Sequence, residues 1–462
     1  MTMRRMMPLA ALLASACMTT PATPPTVAPP AALGPFAGPP TASIEPVPDD
    51  WWRLYDDPVL DRLVRASIAA NADLRIAFAN LDGARAAQRQ AKALRLPQVI
   101  VESSGGIDNP SAQPSAANVP ASDYDIAATA SWDVDLFGRL RSGALAARAD
   151  TDAVAAAYDG VRVAVVADTV LAYVDLCGAN QALIVSRTVV AAQQRAVTMV
   201  SDQLRAGEVS PLDLSQAATL LAAAEAGVPP FEAARANALY RLATLQGVSP
   251  AAAREWRLDC TAVPTLSGRL PIGDGAALLL RRPDIREAER RLAAAAARIG
   301  VARADLYPRL NLGGAFGLLG GGFAATASPL ISWAFPNQGP ARARLQQARA
   351  TERAALAGWD VAILRALREV ETALAAQDAE ARRHRALDEG AVQAGDYARR
   401  AAARVRLGDA APLLRIDAER SLASAQLQRA QSSLLLAQGQ VALFRALGGG
   451  WQHAPVAVVE TL

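Results

Sequence analysis

Two histidines and three cysteines are the imidazole and thiol side chains available to a metal in 462 residues. His384 and His453 lie far apart, and Cys17, Cys177 and Cys260 show none of the short spacings that hold zinc. Paired carboxylates are the other common route to catalysis. Glu287 and Glu289 could be imagined as an acid and a base, but they share a helical segment with Arg286, Arg290 and Arg291. That pattern reads as a solvated, salt-bridged face. No nucleophile–base pair and no phosphate loop emerges. The chain therefore reads as a non-enzyme without a cofactor. Its 47 basic and 44 acidic residues nearly balance and no basic block stands out, which argues against a nucleic-acid partner.

Two cysteine features keep a chemical role. Arg4 and Arg5 precede an apolar stretch from Met6 to Ala16, a secretory leader too short to span a bilayer permanently. It ends Leu13-Ala14-Ser15-Ala16-Cys17, which resembles a bacterial lipobox in which Cys17 is acylated, although Ala14 stands where leucine is commonest. An ordinary leader with an incidental cysteine is the alternative. Met18 after Cys17, with no aspartate there, resembles lipoproteins sent to the outer membrane. Residues 18–48 hold ten prolines among Ala, Thr and Gly and read as an extended tether. Cys177 and Cys260 could pair in an oxidising periplasm.

The elements come from an internal repeat. Asp73 to Pro97 matches Asp284 to Pro308 at an offset of 211, and Ser131-Trp132 with Gly138 matches Ser332-Trp333 with Gly339 at 201. The offset of 201 then holds for Arg205/Arg406, Gly207/Gly408, Pro211/Pro412 and Gly247/Gly448. The unit is duplicated. Each copy predicts a helix (about 71–95 and 284–306) ended by X-Pro, a two-stranded hairpin, and a very long helix. A Gly-x-x-x-Pro turn and a returning helix follow. With 107 alanines and no proline between Pro120 and Pro211 or between Pro340 and Pro412, the long helices each reach about 100 Å. Gly178, Gly358 and Gly390 would allow bends. The first returning helix must break at Pro229-Pro230. Such lengths point to a rod or tube.

The strands carry the functional signal. Ile126, Ala128, Ala130, Trp132, Val134 and Leu136 share one face, while Ala127, Thr129, Ser131, Asp133 and Asp135 share the other. Such a strand meets an apolar phase on one side and water on the other, so Asp133 and Asp135 would point into a lumen. The alternation is weaker around Val99/Val101, Leu310/Leu312/Phe316 and Ile331/Trp333/Phe335, and those three strands alone would read as a half-buried sheet of a soluble domain. Tyr124, Trp132, Trp333 and Phe335 suit an interfacial girdle. Four strands leave two open edges, and unpaired backbone groups cannot sit in hydrocarbon. A small membrane barrel needs about eight strands, so several chains must share one.

The chain resembles a TolC-family outer-membrane factor of the NodT-like lipoprotein branch, the exit duct of tripartite RND efflux systems. The residues that carry this are Trp51-Trp52 with Asp57-Pro58, Ser131-Trp-Asp-Val-Asp-Leu-Phe-Gly138, Arg282-Pro-Asp284, Ile299-Gly-Val-Ala302, Leu306-Tyr-Pro308 and Ala446-Leu-Gly-Gly-Gly-Trp451. The resemblance covers about residues 49–452 and implies a mainly α fold with a small β part. In it, a homotrimer shares a 12-stranded barrel in outer-membrane lipid, and long coiled-coil helices form a periplasmic tunnel. It divides the chain into a signal peptide (1–16), a lipidated tether (17–48), a first repeat (49–247), an equatorial connector (248–280), a second repeat (281–448) and a C-terminal equatorial segment (449–462).

The resemblance also implies roles. The turns with Arg205, Gly207 and Pro211, and with Arg406, Gly408 and Pro412, would dock a periplasmic adaptor protein, itself joined to an inner-membrane RND pump. Asp417, with Leu413 one turn earlier, matches an acidic and apolar ring that narrows the tunnel. Asp213 could assist, although Gln216 stands where a second acid would. The function implied is passive export of small molecules such as drugs. The same duct could instead serve type I secretion or metal export, and a tethered helical scaffold lipoprotein without a channel is the rival from another class.

Overall fold

The computed structural model describes residues 36, 42–43, 45, 47–108, 121–266, 270–273, 281–319 and 322–449. The leader, Cys17 and nearly all of the C-terminal segment 449–462 lie outside the described residues. In chain order the elements are β1 (Ala42–Ser43), α1 (Pro58–Ala70), α2 (Ala72–Ala93), β2 (Gln98–Asp108), β3 (Ala121–Val134), α3 (Arg139–Arg205), α4 (Pro211–Ala226) and α5 (Val228–Leu245). They continue with β4 (Leu270–Pro271), α6 (Pro283–Ala304), β5 (Arg309–Leu319), β6 (Gly322–Ser332), α7 (Gly339–Arg406) and α8 (Pro412–Ala446). Short 3-10 turns occupy Trp51–Tyr55 and Ala252–Glu255. The order helix, hairpin, long helix, return occurs twice, as the two sequence offsets require.

α3 has 67 residues and α7 has 68, each about 100 Å of unbroken helix. What stops them is local. Gly207 and Gly408 adopt φ of 76° and 74°, a left-handed conformation that costs a residue with a Cβ. Glu208 N–H then donates back to Gln203 O at 2.9 Å and Gly207 N–H to Leu204 O at 3.0 Å. Asp409 to Arg404 (2.9 Å) and Gly408 to Val405 (3.1 Å) repeat the pattern, which satisfies carbonyls that the helix end leaves over. The returning path breaks at Gly227, just before Pro229-Pro230. Those prolines open α5, where the missing N–H would have had no partner anyway. Gly178, Gly358 and Gly390 all sit inside uninterrupted helices.

The chain divides into two compact units. One comprises residues 79–157 and 284–362 and holds the hairpins with the adjoining helix ends. Its helices approach closely through small residues: Gly300 lies against Ser142, and Thr151 donates to Ala84 O at 3.1 Å.

The other unit holds residues 32–78, 158–283 and 363–462. Its core centres on Trp51, which is fully buried and stacked on Phe444 with ring centroids 4.8 Å apart. Asp57 caps α1 by accepting from Val59 N–H (2.8 Å) and Leu60 N–H (3.2 Å), and the buried Tyr173 hydroxyl donates to the same carboxylate at 2.7 Å. Arg282 ties down the end of α8 by donating to Ala446 O at 2.8 Å, with Glu369 at 2.7 Å on its other side. Cys177 and Cys260 form a disulfide with Cα atoms 5.2 Å apart, bridging a sequence separation of 83. Asn180 donates to Cys260 O at 3.0 Å, which ties the segment to α3 a second time.

Candidate functional site: an apolar-faced sheet and a helix-turn tip

The four long strands form one antiparallel sheet in the order β2-β3-β5-β6, so the two hairpins join through β3 and β5. Register decides which side chains share a face, because directly paired residues point the same way. Val101 pairs with Ala128, Ala128 with Phe316, and Phe316 with Ala325. Ile126–Leu318–Phe323, Trp132–Leu312–Pro329 and Val134–Leu310–Ile331 run across the same face. The opposite face carries Gln98, Glu102, Thr129, Ser131, Asp133, Arg309, Asn311, Thr326 and Ser328, with Ile100 and Leu330 as its larger apolar members. The three weakly alternating strands thus acquire a clear phase once β2 and β5 pair with β3 and β6 with β5.

A soluble sheet buries such an apolar face. Here Val101 is 73% exposed, Phe323 83% and Ile331 69%. No helix among the described residues is long and apolar enough to cross a membrane. The surface fit for lipid is that of the sheet. Among the described residues its outer strands, β2 and β6, are open edges.

Aromatic side chains mark the end of the sheet nearest the helices. Trp132 Nε1 donates to Arg95 O at 3.0 Å, and Trp333 Nε1 to Leu306 O at 3.2 Å. These are equivalent bonds in the two repeats, and each satisfies a carbonyl just past a helix end. Trp333 stacks on Phe335 at 4.7 Å, and Phe137 on Tyr307 at 4.6 Å. The side chain of Tyr124 lies outside the described residues. Asp133 is on the polar face and pairs with Arg139. Asp135 falls one residue beyond β3, where its two oxygens accept from Leu140 N–H (3.0 Å) and Arg141 N–H (2.7 Å) at the start of α3. The capping function of Asp135 was hidden behind the period-2 pattern.

The second candidate lies in the other unit, where α3 turns into α4 and α7 into α8. Pro211 and Pro412 open the returning helices. Arg205 pairs with Asp202, while Arg404 holds the second turn by donating to Asp409 at 2.8 Å. Arg406 ends α7 and is exposed. Ile416 packs with Ala196, Val200 and Ala217, whereas Leu414, Ala418 and Leu422 pack against Ala398 and Ala401. Two sides of α8 are thereby covered. Leu413, 60% exposed, and Asp417, whose side chain is half-exposed, remain on the open side with Arg420, 3.1 Å from Asp417.

Asp213 has a different local role. Its carboxylate accepts from the Ser210 hydroxyl and from Ser210 N–H, each at 2.8 Å, at the start of α4. Those two bonds hold its carboxyl below the usual range. The Ser-x-x-Asp spacing was the signal for this cap. Ala411 stands at the matching place in the second copy and offers no such hydroxyl.

A sheet with one lipid-compatible face, one polar face and two outer strands unpaired among the described residues, in a chain of duplicated long helices, has the features of an outer-membrane channel component. The family described as outer membrane efflux protein matches residues 63–248 and 276–449, and the chain belongs to it. It is 32% identical to the pyoverdine export outer membrane protein OpmQ of Pseudomonas putida, over 95% of both chains. Nodulation protein T of Rhizobium leguminosarum is 28% identical, over 88% of this chain and 85% of that one. The solved outer-membrane channel OprN matches with a TM-score of 0.83 and 34% identity, covering 93% of this chain and 99% of OprN. The fold is therefore that of the TolC-like channels. The chain is the outer-membrane component of an efflux system, and a scaffold without a channel is set aside.

Proposed function

We propose that three copies of this chain close their sheets into one 12-stranded barrel and join their long helices into a periplasmic tunnel. The observation that carries this reading is the sheet itself, whose apolar face needs lipid and whose edges β2 and β6 need strand partners. Hydrocarbon offers the edges no hydrogen bonds, so a second and third copy must supply them. The polar face, with Asp133, would then line the lumen, with Asp135 at its helical end.

In this assembly the turns around Gly207 and Gly408 dock a periplasmic adaptor protein, with Arg205, Pro211, Arg406 and Pro412 at the contact. Energy comes from an inner-membrane RND pump, and the cargo is a small molecule such as a drug. Leu413 and Asp417 of three copies narrow the tunnel, with Asp213 shaping the neighbouring turn. Cys17 carries lipid, residues 17–48 act as the tether, and residues 49–247 and 281–448 are the two repeats. Residues 248–280 and 449–462 contribute to an equatorial collar. The test is the mass and conductance of the purified protein. Three copies per particle and steady ion current in a planar bilayer are expected. A monomer that stays soluble after delipidation and passes no current would overturn the reading.

A further inference from the structure

The last three turns of α2 carry a feature that the channel reading does not use. Residues 85–95 contain Arg85, Arg89, Lys92 and Arg95 and no acid. Spread along the sequence they form no block. Wound at about 100° per residue, the spacings of four, three and three gather them on one side of the helix and the turn that follows it. All four are exposed. At the end of α6, by contrast, the equivalent positions are Ala296, Gly300, Arg303 and Leu306. The second copy builds the same helix–hairpin junction with one cation at these four positions, so the architecture does not require the other three there.

Position gives the stripe a partner. Trp132 projects from the apolar face of the sheet, and its indole N–H meets the carbonyl of Arg95 itself. The stripe therefore ends beside the face that must lie in hydrocarbon. Leu94 and Leu96, which flank Arg95, are 52% and 63% exposed, so apolar side chains and cations alternate there. Long cationic side chains with apolar stems suit a boundary where hydrocarbon gives way to phosphate. Guanidinium groups match phosphodiester oxygens in charge and in fork geometry.

We propose that Arg85, Arg89, Lys92 and Arg95 bind the anionic headgroups of phospholipids in the leaflet facing the helices, and that this contact fixes the depth of the sheet in the bilayer. The binding adds a lipid preference to the channel reading, and it rests on that reading only in needing the sheet to be embedded.

Lys92 is the sole lysine of the chain, which makes it a built-in reporter. The full protein is reconstituted in bilayers of phosphatidylcholine alone or with phosphatidylglycerol. An amine-reactive label is added, and the rate at Lys92 is read by mass spectrometry of its peptide. Phosphatidylglycerol is expected to slow labelling several-fold, and high salt to reverse part of the effect. The variant R85Q/R89Q/R95Q, which keeps the lysine, is expected to lose the difference. Equal rates in both bilayers, or a difference that survives in the variant, would overturn the proposal. Conductance of the same preparations separates two failures. A conducting channel whose Lys92 ignores lipid charge sinks this proposal alone, whereas a chain that neither inserts nor conducts sinks the channel reading as well.

Discussion

Asp135, Asp213 and Asp57 each close the start of a helix by accepting backbone N–H groups, and each therefore has work that is independent of transport. For Asp213 the consequence is a pH dependence. Its folded pKa lies below the ordinary carboxylate value because the Ser210 hydroxyl and N–H bond to the charged form. A depressed pKa means that the stabilisation is fully present above the unfolded value of about 4 and is lost as pH falls through the folded value. Amide exchange at the first turn of α4, corrected for its intrinsic rate, should thus rise below about pH 4. Asp213→Asn should show the faster exchange already at neutral pH. Exchange that is the same in both proteins at every pH would remove this role. Asp417 makes a different prediction, since it caps nothing and sits on the open side of α8. Asp417→Asn should leave the unfolding free energy within about 0.5 kcal/mol of wild type while lowering the cation-over-anion permeability ratio of the channel. An unchanged ratio in reversal-potential measurements would take Asp417 out of the conducting path.

At the scale of elements, much could be read from spacing. The offsets of 211 and 201 located both hairpins and both long helices. X-Pro at Pro97 and Pro308 marked the ends of α2 and α6, and Gly207, Gly247, Gly408 and Gly448 marked the four C-terminal caps. What spacing could not supply was pairing. Val99/Val101 and Leu310/Leu312 alternate too weakly to assign a face alone, and only the β2–β3 and β3–β5 ladders bring them into phase with Trp132. Nor could composition tell a bend from a close approach. A Cβ on Gly178 would lie 2.7 Å from Leu434 Cδ1 and 3.1 Å from its Cγ, so this glycine lets α8 lie against α3. Gly178→Val should destabilise the protein by about 1–3 kcal/mol, an overpacking cost, and Leu434→Ala in the same chain should recover part of it. Thermal unfolding in detergent checks this. A silent Gly178→Val would mean that the helices have room to separate.

At the scale of the whole molecule, the two strand edges decide the assembly. Within one chain β2 and β6 are the outermost of four strands, with β3 and β5 between them. At about 4.8 Å per strand they are roughly 14 Å apart, well beyond the reach of a disulfide. Between neighbouring copies in a closed barrel the same two strands lie side by side. The most direct measurement places Val101→Cys on β2 together with one cysteine scanned along β6, Ala325→Cys, Ala327→Cys or Ile331→Cys, and oxidises the protein in membranes. In a barrel closed by three chains, at least one pair gives covalent dimers and trimers on a non-reducing gel, collapsing to monomer on reduction. Monomer alone at every scanned position, in protein shown to be embedded, would contradict a barrel closed by three chains.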